Sequence, residues 1–227
     1  MDFEKYTLIK EELPSHVKLV AVSKTKPEED IMALYQAGQR IFGENKAQEL
    51  KRKYENLPKD IEWHFIGHLQ TNKIKYIIPF VSLIHSVDSY KLLKEIDKLA
   101  KKSDRIVPCL LQFHIAAEET KYGFDTEECI SMLEDPQFVQ LENIRVSGVM
   151  GMATFTSDMD IVRNEFRNLF EIFTLLKEKY FPAKEYFKEC SMGMTDDYRI
   201  AVEEGSTMVR IGSAIFGSRN IKTQPEQ

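Results

Sequence analysis

Cysteine is scarce in this chain: Cys109, Cys129 and Cys190 stand far apart, odd in number and without a C-x-x-C spacing. That pattern excludes a disulfide framework and a zinc site of the usual spacing, and leaves the thiols as small core residues. No apolar run approaches the ~20 residues of a membrane span. The opening Met1-Asp2-Phe3-Glu4-Lys5 lacks the basic and apolar regions of a secretory signal. A soluble, cytoplasmic protein without a membrane partner is expected. Positive charge is not in excess either, with 31 Lys and Arg against 36 Asp and Glu for a formal charge of -5. Nothing broad attracts nucleic acid, so any anion must be bound locally.

What is present is an ordinary globular composition, 43% hydrophobic and 30% charged, in which short β-type runs alternate with amphipathic helical stretches. After a first helix over 3–13, strands are predicted at 19–23, 40–42, 62–66, 83–86, 107–114, 145–150, 185–190 and 207–211. Helices fit 27–37, 45–56, 71–78, 89–101, 126–133, 158–179 and 195–204. A repeated β-then-α order requires right-handed crossovers and a parallel sheet, either open and doubly wound or closed into an eight-stranded barrel. Eight units favour a single (β/α)8 TIM barrel over residues 1–220, and the absence of G-x-G-x-x-G after the first strand weakens the open alternative. The polar tail 221–227 is expected to be loose.

Function in such a barrel is sought where strands hand over to loops at their carboxyl ends. Lys24 follows Leu19-Val20-Ala21-Val22-Ser23, and alternation puts Val20, Val22 and Lys24 on one face. An amine pointing inward there would lose charge through burial and become a Schiff-base nucleophile. A strand-end lysine reaching solvent is the competing reading. Gly43-Glu44-Asn45, Gly67-His68, His85-Ser86, Asp88, His114 and Met150 lie at the next strand ends.

The last two loops are more specific. Ser191-Met192-Gly193-Met194-Thr195 follows the seventh strand, with Thr195 a plausible N-cap, and Gly212-Ser213 opens a short helix after the eighth. Phosphate commonly sits between these two loops, so Ser191, Thr195, Gly212 and Ser213 are read as a cradle, although the glycines could simply make tight turns. Within Thr207-Met208-Val209-Arg210-Ile211, alternation turns Met208 and Arg210 inward. An inward guanidinium needs an acceptor, from a structural carboxylate or from a ligand. Amine, phosphate cradle and inward arginine together match the aldehyde, phosphate and ring nitrogen of pyridoxal 5'-phosphate (PLP). His64 and His68 have the spacing of helical zinc ligands but straddle a strand end, and Asp196 and Asp197 read as first-turn charges; neither pair is assigned chemistry.

The segments Leu19 to Pro27, Phe42-Gly43-Glu44-Asn45, Trp63 to Gln70, Ser191 to Asp197 and Gly205 to Gly212 resemble, in order and across nearly the whole chain, the pyridoxal phosphate homeostasis proteins, also called the YggS/PROSC family. The resemblance implies a barrel like the amino-terminal domain of alanine racemase. It also implies Lys24 holding PLP as an internal aldimine, phosphate contacts from Ser191, Thr195, Gly212 and Ser213, Arg210 beside the ring nitrogen, and Asn45 and Met150 near the ring. One departure is Phe113 to Gly123, where relatives more often carry an asparagine-containing segment before E-x-x-K-x-G.

An always-charged arginine keeps the ring nitrogen unprotonated and weakens the electron sink. Racemases on this barrel add a second domain; with few residues after Arg210, none is expected here. The expectation is a monomeric PLP-binding protein of vitamin B6 homeostasis that buffers the cofactor and hands it to apo PLP enzymes, without robust turnover and with indirect effects on amino-acid balance. A slow amino-acid racemase and a class I aldolase-like lyase are the alternatives.

Overall fold

Strands that are apolar on both faces cannot lie against water, and eight of them close on one another here. The computed structural model describes residues 1–117 and 122–217. Its strands are β1 Lys18–Val22, β2 Ile41–Glu44, β3 Glu62–Phe65, β4 Leu83–Val87, β5 Val107–Gln112, β6 Ile144–Met150, β7 Glu189–Ser191 and β8 Met208–Ile211. All pair in parallel, each with the next, and β8 returns to β1 to form a closed barrel. The helices are α1 Phe3–Glu12, α2 Glu28–Gln36, α3 Ala47–Asn56, α4 Tyr90–Lys102, α5 Thr126–Glu134, α6 Met159–Lys179, α7 Tyr198–Glu203 and α8 Ser213–Phe216.

Strand alternation sorts the core into two parts. Leu19, Ala21, Val209 and Ile211 face outward into the large core beneath the helices, whereas Val20, Leu83, Leu110, Met150 and Met208 form a separate apolar cluster inside the barrel. Helix starts are marked locally. Asp125 and Glu128 form a reciprocal capping box on α5, and three acidic residues, Glu28, Glu29 and Asp30, occupy the first turn of α2. Among the described residues no helix is long and apolar enough to cross a membrane.

Several expected boundaries move, each for a local reason. The 71–78 helix is a 3₁₀ segment, Thr71–Tyr76, followed closely by Pro79, which cannot extend it. The 185–190 strand shrinks to β7 because Phe187 leaves the sheet to stack on Phe181, with ring centroids 4.4 Å apart, and on Phe173 at 5.4 Å. The 107–114 strand stops at Gln112, so His114 stands in the loop. The 195–204 helix begins only at Tyr198, its N-cap position is Asp197, and Thr195 caps nothing. Glu118 to Lys121 and the expected loose tail 221–227 lie outside the described residues.

Candidate functional site

Lys24 is not the last residue of β1 but the second residue of a turn beyond it, and it is half-buried instead of enclosed. The turn closes through the Lys26 N–H, which donates to the Ser23 carbonyl at 3.0 Å. Thr25 takes φ +63°, a left-handed value that β-branched residues rarely adopt. Its N–H donates to Oε1 of Glu49 at 2.8 Å. On the other side of Lys24, the Ser23 hydroxyl donates to Oε1 of Glu44 at 2.6 Å, and the Ser23 carbonyl accepts from Nζ of Lys53 at 2.8 Å. Lys53 also bridges Glu44 at 2.7 Å and Glu49 at 2.8 Å. The Lys53 and Glu44 side chains are fully buried, and burial pushes the Glu44 carboxyl above the usual carboxylate range.

Inside the barrel Arg210 is held by oxygens. It donates to the Ser191 carbonyl at 2.9 Å, to Oγ of Ser191 at 2.7 Å and to the Gly151 carbonyl at 3.0 Å. Among the described residues no carboxylate lies within ion-pair distance of it. Burial lowers its pKa to about 10, against the opposing influence of Asp197, and it remains cationic at neutral pH. Beneath it runs a chain of hydrogen bonds: Oγ of Ser191 to Nδ1 of His85 at 3.0 Å, and Nε2 of His85 to Nδ1 of His64 at 3.0 Å. Burial keeps both imidazoles neutral, with the His64 pKa lowered to about 3.

The rim above carries the hydroxyls. Oγ of Ser213 donates to Oγ1 of Thr195 at 3.1 Å, joining the loops after β7 and β8. Gly193 lets the loop after β7 pack against α7: its φ is +94°, and a Cβ there would sit 2.6 Å from Cβ of Ala201. A Cβ on Gly212 would press to 3.0 Å from the Val22 carbonyl, so β8 hands over directly beside the Lys24 turn. Asn45, beyond β2, has a buried Oδ1 without a hydrogen-bond partner among the described residues. Met150 belongs to the inner apolar cluster. A cavity of 230 Å³ opens at the same mouth, lined by Gln112, His114, Met152, Phe155 and Met194 among others.

Lys24, Asn45, Thr195, Arg210, Gly212 and Ser213 thus come from β7, β8, β1 and β2, four neighbouring strands around the mouth. Ser191 differs from the rim hydroxyls in being fully buried and hydrogen-bonded to Arg210 and His85. His64 and His68 do not meet, since His64 is buried in the barrel and His68 pairs with Asp88 at 3.2 Å. Among the described residues no group of three or more acidic, His or Cys side chains is arranged for a metal ion. A cavity of 630 Å³ near the starts of α4 and α5 is lined by Asp88, Asp125, Glu127, Glu128 and Asp135, which would repel a phosphate. Sequence reasoning missed Lys53, Glu49 and the role of His85. The available signal was Lys53 itself, a lysine on the buried stripe Ala47, Leu50, Lys53 of α3.

The sequence matches the family described as alanine racemase, N-terminal domain, over residues 4–220. A relative from Aquifex aeolicus named pyridoxal phosphate homeostasis protein is 41% identical over 203 residues, covering 89% of this chain and 87% of its own. PipY of Synechococcus elongatus, solved with PLP bound, shares the fold with a TM-score of 0.85 at 34% identity, over 94% of this chain and 99% of that one. An alanine racemase from Clostridium difficile matches with a TM-score of 0.76 over 96% of this chain and 59% of its own, and at 16% identity shows the shared fold alone. The chain belongs to the alanine racemase N-terminal domain family and, within it, to the pyridoxal phosphate homeostasis proteins.

Proposed function

We propose that this protein binds PLP as a Schiff base on Lys24 and serves vitamin B6 homeostasis inside the cell, buffering the cofactor and passing it to apo PLP enzymes. One observation carries the reading: a buried cation, Arg210, has only neutral oxygens for partners among the described residues, at the mouth where the Lys24 turn and two hydroxyl-bearing loops converge. The orphaned Oδ1 of Asn45 fits a polar ligand seated there.

Bound PLP would supply an aldehyde that condenses reversibly with amines. In this reading Thr195, Gly212 and Ser213 hold its phosphate, and Ser191 acts chiefly by fixing Arg210. Arg210 donates a hydrogen bond toward the ring nitrogen and, staying charged, disfavours protonation of that atom. Asn45 and Met150 bound the ring. With the ring nitrogen unprotonated, carbanion chemistry is weak, so holding and release are favoured over turnover. The protein is read as a cytoplasmic monomer.

The test is a spectral titration of the purified protein with PLP. Wild type should develop the visible band of a pyridoxal imine, and Lys24→Ala should not. An identical band in Lys24→Ala would reject the assignment, and robust alanine racemisation by wild type would favour the racemase alternative.

A further inference from the structure

We infer that Lys53, Glu44 and Glu49 are positioning residues that hold the Lys24 turn in one conformation and thereby set how readily the Lys24 amine captures an aldehyde. The inference rests on the reading of Lys24 as the covalent residue. All three donors of the Lys53 ammonium are used: on Glu44, on Glu49 and on the Ser23 carbonyl. The same oxygens that bind Lys53 also bind the turn. Oε1 of Glu44 accepts the Ser23 hydroxyl and Oε1 of Glu49 accepts the Thr25 N–H. Both sequence neighbours of Lys24 are therefore tied to one buried ammonium through charge-assisted hydrogen bonds.

An ion pair that merely fastened α3 to the barrel would not need to reach both sides of a single residue. Nor would a turn needed only as a connector carry a β-branched residue at φ +63°, where glycine or asparagine is easier. The turn is pinned further by Lys26, whose Nζ donates to the Phe216 and Gly217 carbonyls, both at 2.9 Å. Residues 23, 25 and 26 are all anchored, and what they present between them is Lys24. Such support fixes a reacting group before its partner arrives.

Capture joins the Lys24 nitrogen to the aldehyde carbon as a C=N bond, and the aldehyde oxygen leaves as water. Two measurements test the inference on full-length protein. The first is the rate at which PLP forms a borohydride-trappable adduct on Lys24. The second, independent of PLP, is reductive methylation of the protein with formaldehyde, scored by mass spectrometry as Lys24 relative to exposed lysines. Lys53→Met and Glu49→Ala should slow both at Lys24 by about tenfold or more. Glu49→Gln keeps an oxygen for the Thr25 N–H but loses the charge that pairs with Lys53, so it should fall between wild type and Glu49→Ala. Thr25→Gly, which relieves the backbone while loosening the turn, should keep its melting temperature yet slow capture, and it serves if Lys53→Met does not fold.

Folded variants with lowered melting temperatures but unchanged Lys24 rates would overturn the positioning role. A wild type that methylates Lys24 readily, and more slowly in the variants, yet takes up no PLP would sink the cofactor reading while leaving the positioning role standing.

Discussion

Arg210 donates to the hydroxyl of Ser191 at 2.7 Å, and that hydroxyl in turn meets Nδ1 of His85 at 3.0 Å. The hydroxyl of Ser191, expected at the phosphate, thereby also bridges a cation and a neutral imidazole. Ser191→Ala should cost about 1–3 kcal/mol of stability, because it leaves buried donors and acceptors unmatched. Urea denaturation measures this, and a loss under about 0.5 kcal/mol would contradict the bridging role.

The rim hydroxyls should behave in the opposite way. Thr195 is half-buried and Ser213 exposed, so Thr195→Ala and Ser213→Ala should leave the melting temperature nearly unchanged. Each should weaken PLP retention by roughly 1.5–3 kcal/mol, the range for a hydrogen bond to a charged group. Dialysis followed by cofactor quantification reads the effect. Unaltered retention in the double variant would remove these hydroxyls from the phosphate site.

Arg210→Glu should change the spectrum of the PLP-loaded protein, since a carboxylate beside the ring nitrogen favours its protonation where a guanidinium disfavours it. Absorbance recorded across pH on the folded variant checks this. A spectrum that follows wild type at every pH would place Arg210 away from the ring nitrogen.

Acid should destabilise the fold through the buried histidines. The folded-state pKa of His64 is about 3, against an ordinary value of 6.5, so between these values the unfolded chain takes up a proton that the native chain refuses. Stability therefore falls as pH drops from 6.5 toward 3, by about 1.4 kcal/mol per pH unit for this group. His85, also lowered, acts in the same direction, whereas Glu44, raised by burial, acts oppositely. The slope difference between wild type and His64→Gln in urea melts at pH 6 and pH 5 isolates the histidine. Equal slopes would contradict its neutral burial.

The β-then-α order and closure were legible because apolar strands recur with helices between them, and the inward turn of Arg210 followed from a period of two shared with Met208. The position of Lys24 in a turn was not. Thr25 gives no local sign of a left-handed conformation, which Glu49 supports from another element. The short β7 depends on stacking between Phe187, Phe181 and Phe173, a tertiary event invisible to local propensity. Glu49 and Lys53, four residues apart, have the spacing of a surface helix pair; the place of Lys53 on the apolar stripe of α3 pointed the other way, and the packed structure shows it buried.

The most direct measurement is to incubate wild-type protein with PLP, reduce with borohydride and map the modified peptide by mass spectrometry. One pyridoxyl group on Lys24 is the predicted result. An adduct on Lys26, on Lys53 or on scattered surface lysines, with Lys24 unmodified, would contradict the central claim that this turn presents the covalent amine.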